Sequence, residues 1–84
     1  MQVKWTGDLA DDCTAIWSGL LLRAEWMDGD RWWWAVSDIA SGKEIDSSNN
    51  DGYFDVTFNS GDSARRAAEY AANEFVLRRT RSVT

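Results

Sequence analysis

With 84 residues, one cysteine and no histidine, the chain has neither of the usual covalent or metal supports of a small fold: one thiol makes no intrachain disulfide and no structural zinc site. Stability therefore has to come from burying its eleven aromatic residues, six of them tryptophan, each covering roughly 150–250 Å², or from dimerisation. The net charge of −5 is uneven, with four Lys/Arg against eleven Asp/Glu in residues 1–60 and five Arg against three Asp/Glu in residues 61–84; an acidic body argues against direct nucleic-acid binding and suits a basic protein partner.

The first residues, Met1-Gln2-Val3-Lys4-Trp5, contain no apolar leader core. No apolar run approaches the length of about 20 residues that spans a bilayer, and a lone thiol suits a reducing compartment. The expectation is a single soluble cytoplasmic domain over residues 1–84, without a membrane segment.

In chain order, Gln2 to Thr6 alternates around Val3 and Trp5 and predicts a short strand. Gly7 to Asp12 reads as a loop. Its three aspartates have no second oxygen cluster nearby in sequence, so they read as solvated rather than as a cation site. Thr14 to Met27 predicts one long strand, with Gly19 as a bulge or bend. A tight turn follows, then the strand that carries Trp32, Trp33 and Trp34.

Register decides which tryptophans are core, because a one-residue slip turns every side chain over. A two-residue loop at Asp28-Gly29 sets Ala24 opposite Trp33 and scatters apolar residues over both faces. A three-residue loop, Met27-Asp28-Gly29, sets Ala24 opposite Trp32, Leu22 opposite Trp34, Leu20 opposite Val36 and Glu25 opposite Arg31. The second arrangement gives one apolar and one mixed face, and it is the one expected. Trp33 then lies on the mixed face with Arg23, Glu25 and Arg31. It is either covered by the N-terminal strand or a neighbouring loop, or presented to a partner, with a cation–π contact from an arginine worth about 0.5–1 kcal/mol.

The strand continues over Ser37 to Ala40, turns at Ser41-Gly42 and returns over Lys43 to Ser47 with Ile45 inward. Ser47 to Gly52 is a polar breaker; it lacks the glycine and glutamate positions of a calcium loop. Tyr53 to Asn59 alternates, Phe54, Val56 and Phe58 against Tyr53, Asp55 and Thr57, as a strand or an arm. A helix is predicted from Ala64 to about Arg79, capped by Asp62 or Ser63, with a stripe of Ala64, Ala67, Ala68, Ala71 and Phe75. Small residues on the helix leave room for tryptophans on the sheet. The expected fold is α+β: a four- or five-stranded antiparallel meander with one C-terminal helix packed on one face.

Trp32 to Val36, then Gly42, Ile45 and Ser48 at Gly-x-x-Ile-x-x-Ser spacing, then an Ala-rich helix, resemble the small YegP-type bacterial module over about residues 31–76. The resemblance implies a ββ(β)α fold and no secure activity. The strand at Tyr53–Asn59 and the absence of an isoleucine from the helix depart from that pattern.

Catalytic chemistry has little to build on. Histidine, the commonest general base, is missing. Cys13 lacks a base to activate it and reads as a small hydrophobe. No phosphate loop or nucleophile elbow is present. The functional expectation is a non-catalytic protein-binding module without cofactor or metal, most specifically a small acidic inhibitor of the phage anti-defence or immunity-protein kind. Its partner-binding residues are Trp33, Arg23, Arg31, Glu25, Asp28 and Asp30. The alternatives are a small-ligand binder that stacks its ligand on exposed tryptophan, and a structural homodimer.

Overall fold

The computed structural model describes residues 2–49 and 58–81, without the side chains of Thr80 and Arg81. Five strands, β1 (Thr6–Asp8), β2 (Asp12–Trp17), β3 (Leu20–Asp28), β4 (Arg31–Asp38) and β5 (Glu44–Ser47), precede one helix, α1 (Gly61–Arg81). The sheet order is β1-β2-β3-β4-β5 and every neighbouring pair is antiparallel. This is the expected α+β meander, with α1 packed on one face against β3 and β4.

The stretch Thr14–Met27 is two strands and not one. Ser18 and Gly19 both have positive φ, 52° and 76°, as a two-residue type I′ turn requires at both central positions. Trp17 consequently pairs with Leu20. Gly19 is thus half of a hairpin turn and not a bulge. The N-terminal strand also falls later than expected, at Thr6–Asp8, while Val3 and Trp5 precede it and pack against the core.

The β3–β4 register corrects the expected one by two residues. Leu22 lies opposite Val36, Ala24 opposite Trp34, Glu25 opposite Trp33 and Trp26 opposite Trp32. The loop is Gly29-Asp30, between Asp28 and its partner Arg31. Gly29 has φ 49° at the first loop position, where a type II′ hairpin wants glycine. Taken alone that turn would set Ala24 opposite Ala35. Met27 is an extra residue between the pairs Trp26–Trp32 and Asp28–Arg31, and this bulge brings the pairing back by one, to Ala24 opposite Trp34. Because the correction is an even number of residues, every side chain keeps the face assigned to it from the sequence.

Leu20, Leu22, Ala24, Trp34 and Val36 are fully buried on the helix side, with Cys13 and Ala15 from β2. Ala64, Ala68, Ala71 and Ala72 meet them from α1. Four alanines let the helix backbone come close to the sheet, and the tryptophan on the other layer fills the space between. Phe58 approaches the Trp34 ring edge-on, at 6.0 Å between centroids and 89° between planes. The helix starts earlier than expected, and its N-cap is Ser60. The Ser63 amide donates to Ser60 Oγ (3.1 Å), and the Ser60 amide donates to Ser63 Oγ (3.3 Å), a reciprocal capping box.

Strand β4 ends at Asp38, before the expected Ala40. The Asp38 carboxylate accepts hydrogen bonds from the Ser41 hydroxyl (2.7 Å) and the Ser41 amide (3.1 Å) and so shapes the turn into β5. Gly42, with φ 73°, closes that turn; Ile45 packs on the core; the Ser48 amide donates to Trp34 O at 3.0 Å. Beyond Ser48, the Trp32 amide donates to Phe58 O at 2.8 Å. Residues 53–57 of the expected Tyr53–Asn59 strand lie outside the described residues, and Phe58–Asn59 is not strand. Among the described residues, no helix is long and apolar enough to cross a membrane.

Candidate functional site

Because α1 covers one face of the sheet, the side chains of opposite parity form a second face that no described element covers. Strand β2 puts Ile16, Thr14 and Asp12 there; β3 puts Leu21, Arg23 and Glu25; β4 puts Trp33, Ala35 and Ser37. Four of these cluster. Ala35 stands directly opposite Arg23 and is too small to block it. The Arg23 side chain leans diagonally over Trp33, with its guanidinium carbon 5.3 Å from the indole centroid. Its Nη2 lies 3.5 Å from Glu25 Oε2, and Glu25 stands directly opposite Trp33. One guanidinium is thus held between an indole face and a carboxylate.

Trp33 is half-buried. The N-terminal segment does not cover it. Trp5 Nε1 donates to Glu69 Oε2 of α1 at 3.0 Å, which ties that segment beside the helix. Among the described residues, Arg23 of Trp33's own hairpin lies over the ring.

Arg31 departs from expectation. It pairs with Asp28 across the turn and not with Glu25. Its Nε lies 3.1 Å from Asp28 Oδ1 and its Nη2 2.9 Å from Oδ2. This two-point bond, reinforced by charge, holds the Asp28 carboxyl below its usual range and lifts Arg31 above its ordinary value. Both are exposed at the hairpin end, and Asp30 is exposed at the second loop position. Of the six expected residues, Trp33, Arg23 and Glu25 form one cluster. Asp28 and Arg31 form a separate turn clasp, with Asp30 beside it.

Two features were missed from sequence. The first is a row of acids. Asp8 stands opposite Asp12, and Asp12 opposite Glu25, so three carboxylates followed by Trp33 cross four adjacent strands in line. Like charges directly opposite each other destabilise a sheet. Asp8 Oδ1 accepts from the Ala10 amide at 2.9 Å, a local turn bond. Once Ser18-Gly19 is recognised as a type I′ turn, counting back from it pairs Asp12 with Glu25. The second feature is Trp26, which lies on the helix side opposite Trp32 yet is 46% exposed, its Nε1 donating to Gly29 O at 2.8 Å. An alanine Cβ at Gly61, the first helical residue, would come within 2.9 Å of the Trp32 ring. The helix therefore begins over Trp32.

A cleft of about 140 Å³ lies between β5 and α1, lined by Ile45, Asp46, Tyr70, Glu74, Phe75 and Arg78. Small-molecule sites run to about 300–1,000 Å³, so it is undersized for such a ligand. Among the described residues, no three carboxylates or thiols converge on a metal position; Asp8, Asp12 and Glu25 lie in a row. Cys13 is 1% exposed, with its Sγ 3.7 Å from Ala24 O and 3.8 Å from Arg65 Nη1. It is a buried thiol that donates to the Ala24 carbonyl and accepts from Arg65.

No protein-family model matches the chain, and searches of curated proteins and of solved structures return no significant match.

Proposed function

We propose that the chain is a non-catalytic protein-binding module that docks on a basic partner surface through the outer face of its sheet. In its most specific form it is a small acidic inhibitor of the phage anti-defence or immunity-protein kind. The observation that carries this reading is the row Asp8–Asp12–Glu25–Trp33 on a face that no described element covers. Like charges stand directly opposite one another along this row, which weakens the sheet, although Glu25 also meets Arg23 and Asp8 the Ala10 amide. Beside Trp33 these carboxylates offer a cationic partner an aromatic contact and charge complementarity. The −7 balance of residues 1–60 would steer such a partner at long range. A buried free thiol suits a reducing compartment, so the partner is to be sought in the cytosol.

The test is retention of proteins from a lysate of the producing cell on the immobilised chain, compared with Trp33→Ala and with Asp12→Lys/Glu25→Lys. The expected result is a basic protein retained by the wild-type chain, released as salt approaches about 1 M, where charge is screened within about 3 Å, and not retained by either variant. The same proteins on all three columns would refute the reading.

A further inference from the structure

Over β2 and β3 the outer face is graded in polarity in the same order, whereas β4 runs the other way, from Ser37 beside Leu21 to Trp33 beside Glu25. Along β2 the order is Ile16, Thr14, Asp12; along β3 it is Leu21, Arg23, Glu25. Cross-strand pairing sets Ile16 beside Leu21, Thr14 beside Arg23 and Asp12 beside Glu25. One end is apolar, with Ile16 72% exposed. The other end is anionic, and Asp8 extends it onto β1. From Ile16 to Asp12 is four residues of strand, about 13 Å.

We infer that this face seats an amphipathic helix of the partner, lying along the strands, with apolar side chains over Ile16 and Leu21 and lysine or arginine over Asp12, Glu25 and Asp8. This rests on the protein-binding reading and specifies the partner's chemistry. A helix is one of the elements that pack on a sheet face, as α1 does on the other side. At about 1.5 Å per residue, 13 Å separates its apolar and basic contacts by about nine residues on one side of the helix. Thr14, between the two ends, is small enough for the helix to pass over. A second copy of the chain fits neither way round. With strands reversed across a two-fold axis, Ile16 of one copy would lie over Asp12 of the other; with strands aligned, the two acidic rows would face each other, in a chain of net charge −5.

The probe is a synthetic alanine-based helix of about 18 residues, with leucines at one end and lysines at the other end of a single face. Its control has the same composition, with leucine and lysine interleaved along that face. Binding of fluorescein-labelled peptides to the full chain is read by anisotropy. The segregated peptide is expected to bind about tenfold more tightly than the interleaved one. Ile16→Asp and Asp12→Lys, both at exposed positions, are each expected to cost it about tenfold or more, with thermal melts showing that both variants fold. Equal affinity for the two peptides, weakened by Asp12→Lys, overturns the graded helix seat and leaves the basic-partner reading standing. Affinity unchanged in both variants, or no binding at about 1 mM, overturns the seat. Sedimentation of the free chain as a dimer that Ile16→Asp dissociates overturns it in favour of a second copy.

Discussion

The division between a buried and an open sheet face is tested most directly by truncating adjacent tryptophans, Trp33→Ala and Trp34→Ala. Trp34 has no exposed surface and sits under the alanines of α1 with Phe58 against its ring. Removing a buried aromatic of this size costs about 3–5 kcal/mol, against a total of about 4–13 kcal/mol expected for a chain of this length. At about 4–8 °C per kcal/mol, the melting midpoint should fall by about 12–40 °C. Trp33 loses a half-buried ring and the Arg23 contact, the latter worth about 0.5–1 kcal/mol, for a total of about 1–2 kcal/mol and a shift of about 4–16 °C. Far-UV circular dichroism melts and urea titrations with a common m-value read both quantities. If Trp33→Ala lowers stability as far as Trp34→Ala, the outer face is not open and the site built on it fails.

Asp12→Thr removes the central member of the acid row and should raise stability by about 0.2–1 kcal/mol, seen as a higher urea midpoint; a lower midpoint would show that the row is not a liability. Gly61→Ala brings a methyl within 2.9 Å of the Trp32 ring and 2.8 Å of Arg65 Nη1. It should destabilise by about 1–3 kcal/mol in the same titration, although alanine is the better helix former. Asp28 is held below 3.8 by Arg31, and Asp38 by the Ser41 hydroxyl and amide. Carboxyls whose folded pKa lies below the unfolded one contribute stability above the unfolded value and lose it as pH falls through the folded value. The melting midpoint should therefore drop below about pH 4, and less steeply in Asp28→Asn and Asp38→Asn.

The helix and the core face were legible because each is written in a period. Ala64, Ala68 and Ala71 recur at helical spacing, and Leu20, Leu22 and Ala24 at strand spacing, so tertiary packing only confirmed them. Turns were harder, because a turn is a backbone conformation that several residue pairs can adopt. The sequence suggests Met27-Asp28-Gly29 as the β3–β4 loop, with Gly29 in the left-handed position at its end. The fold instead uses Gly29 first, followed by Asp30, and adds a bulge at Met27 that no periodicity announces. In sequence Gly19 resembles a bulge or bend within one strand, and only the positive φ of Ser18 beside it reveals the hairpin and the Asp12–Glu25 opposition. Trp33 and Arg23 were placed together because their parity survives an even shift. Arg31 was misassigned because its partner depends on the register itself.

The bulge at Met27 makes the hairpin unequal in its tolerance of length change. Deleting Met27 removes the unpaired residue and leaves Asp28 opposite Arg31 and Trp26 opposite Trp32, so every other strand residue keeps its side of the sheet. Deleting Glu25 uses up the same extra residue, so Leu20, Leu22 and Ala24 keep their side, but Trp26 then stands opposite Trp33 and Met27 opposite Trp32. Of these two single-codon losses, only the first keeps Glu25 beside Arg23 and opposite Trp33. Met27 is thus the point at which this hairpin can shorten in a related sequence while Trp33 keeps both Arg23 and Glu25 as neighbours.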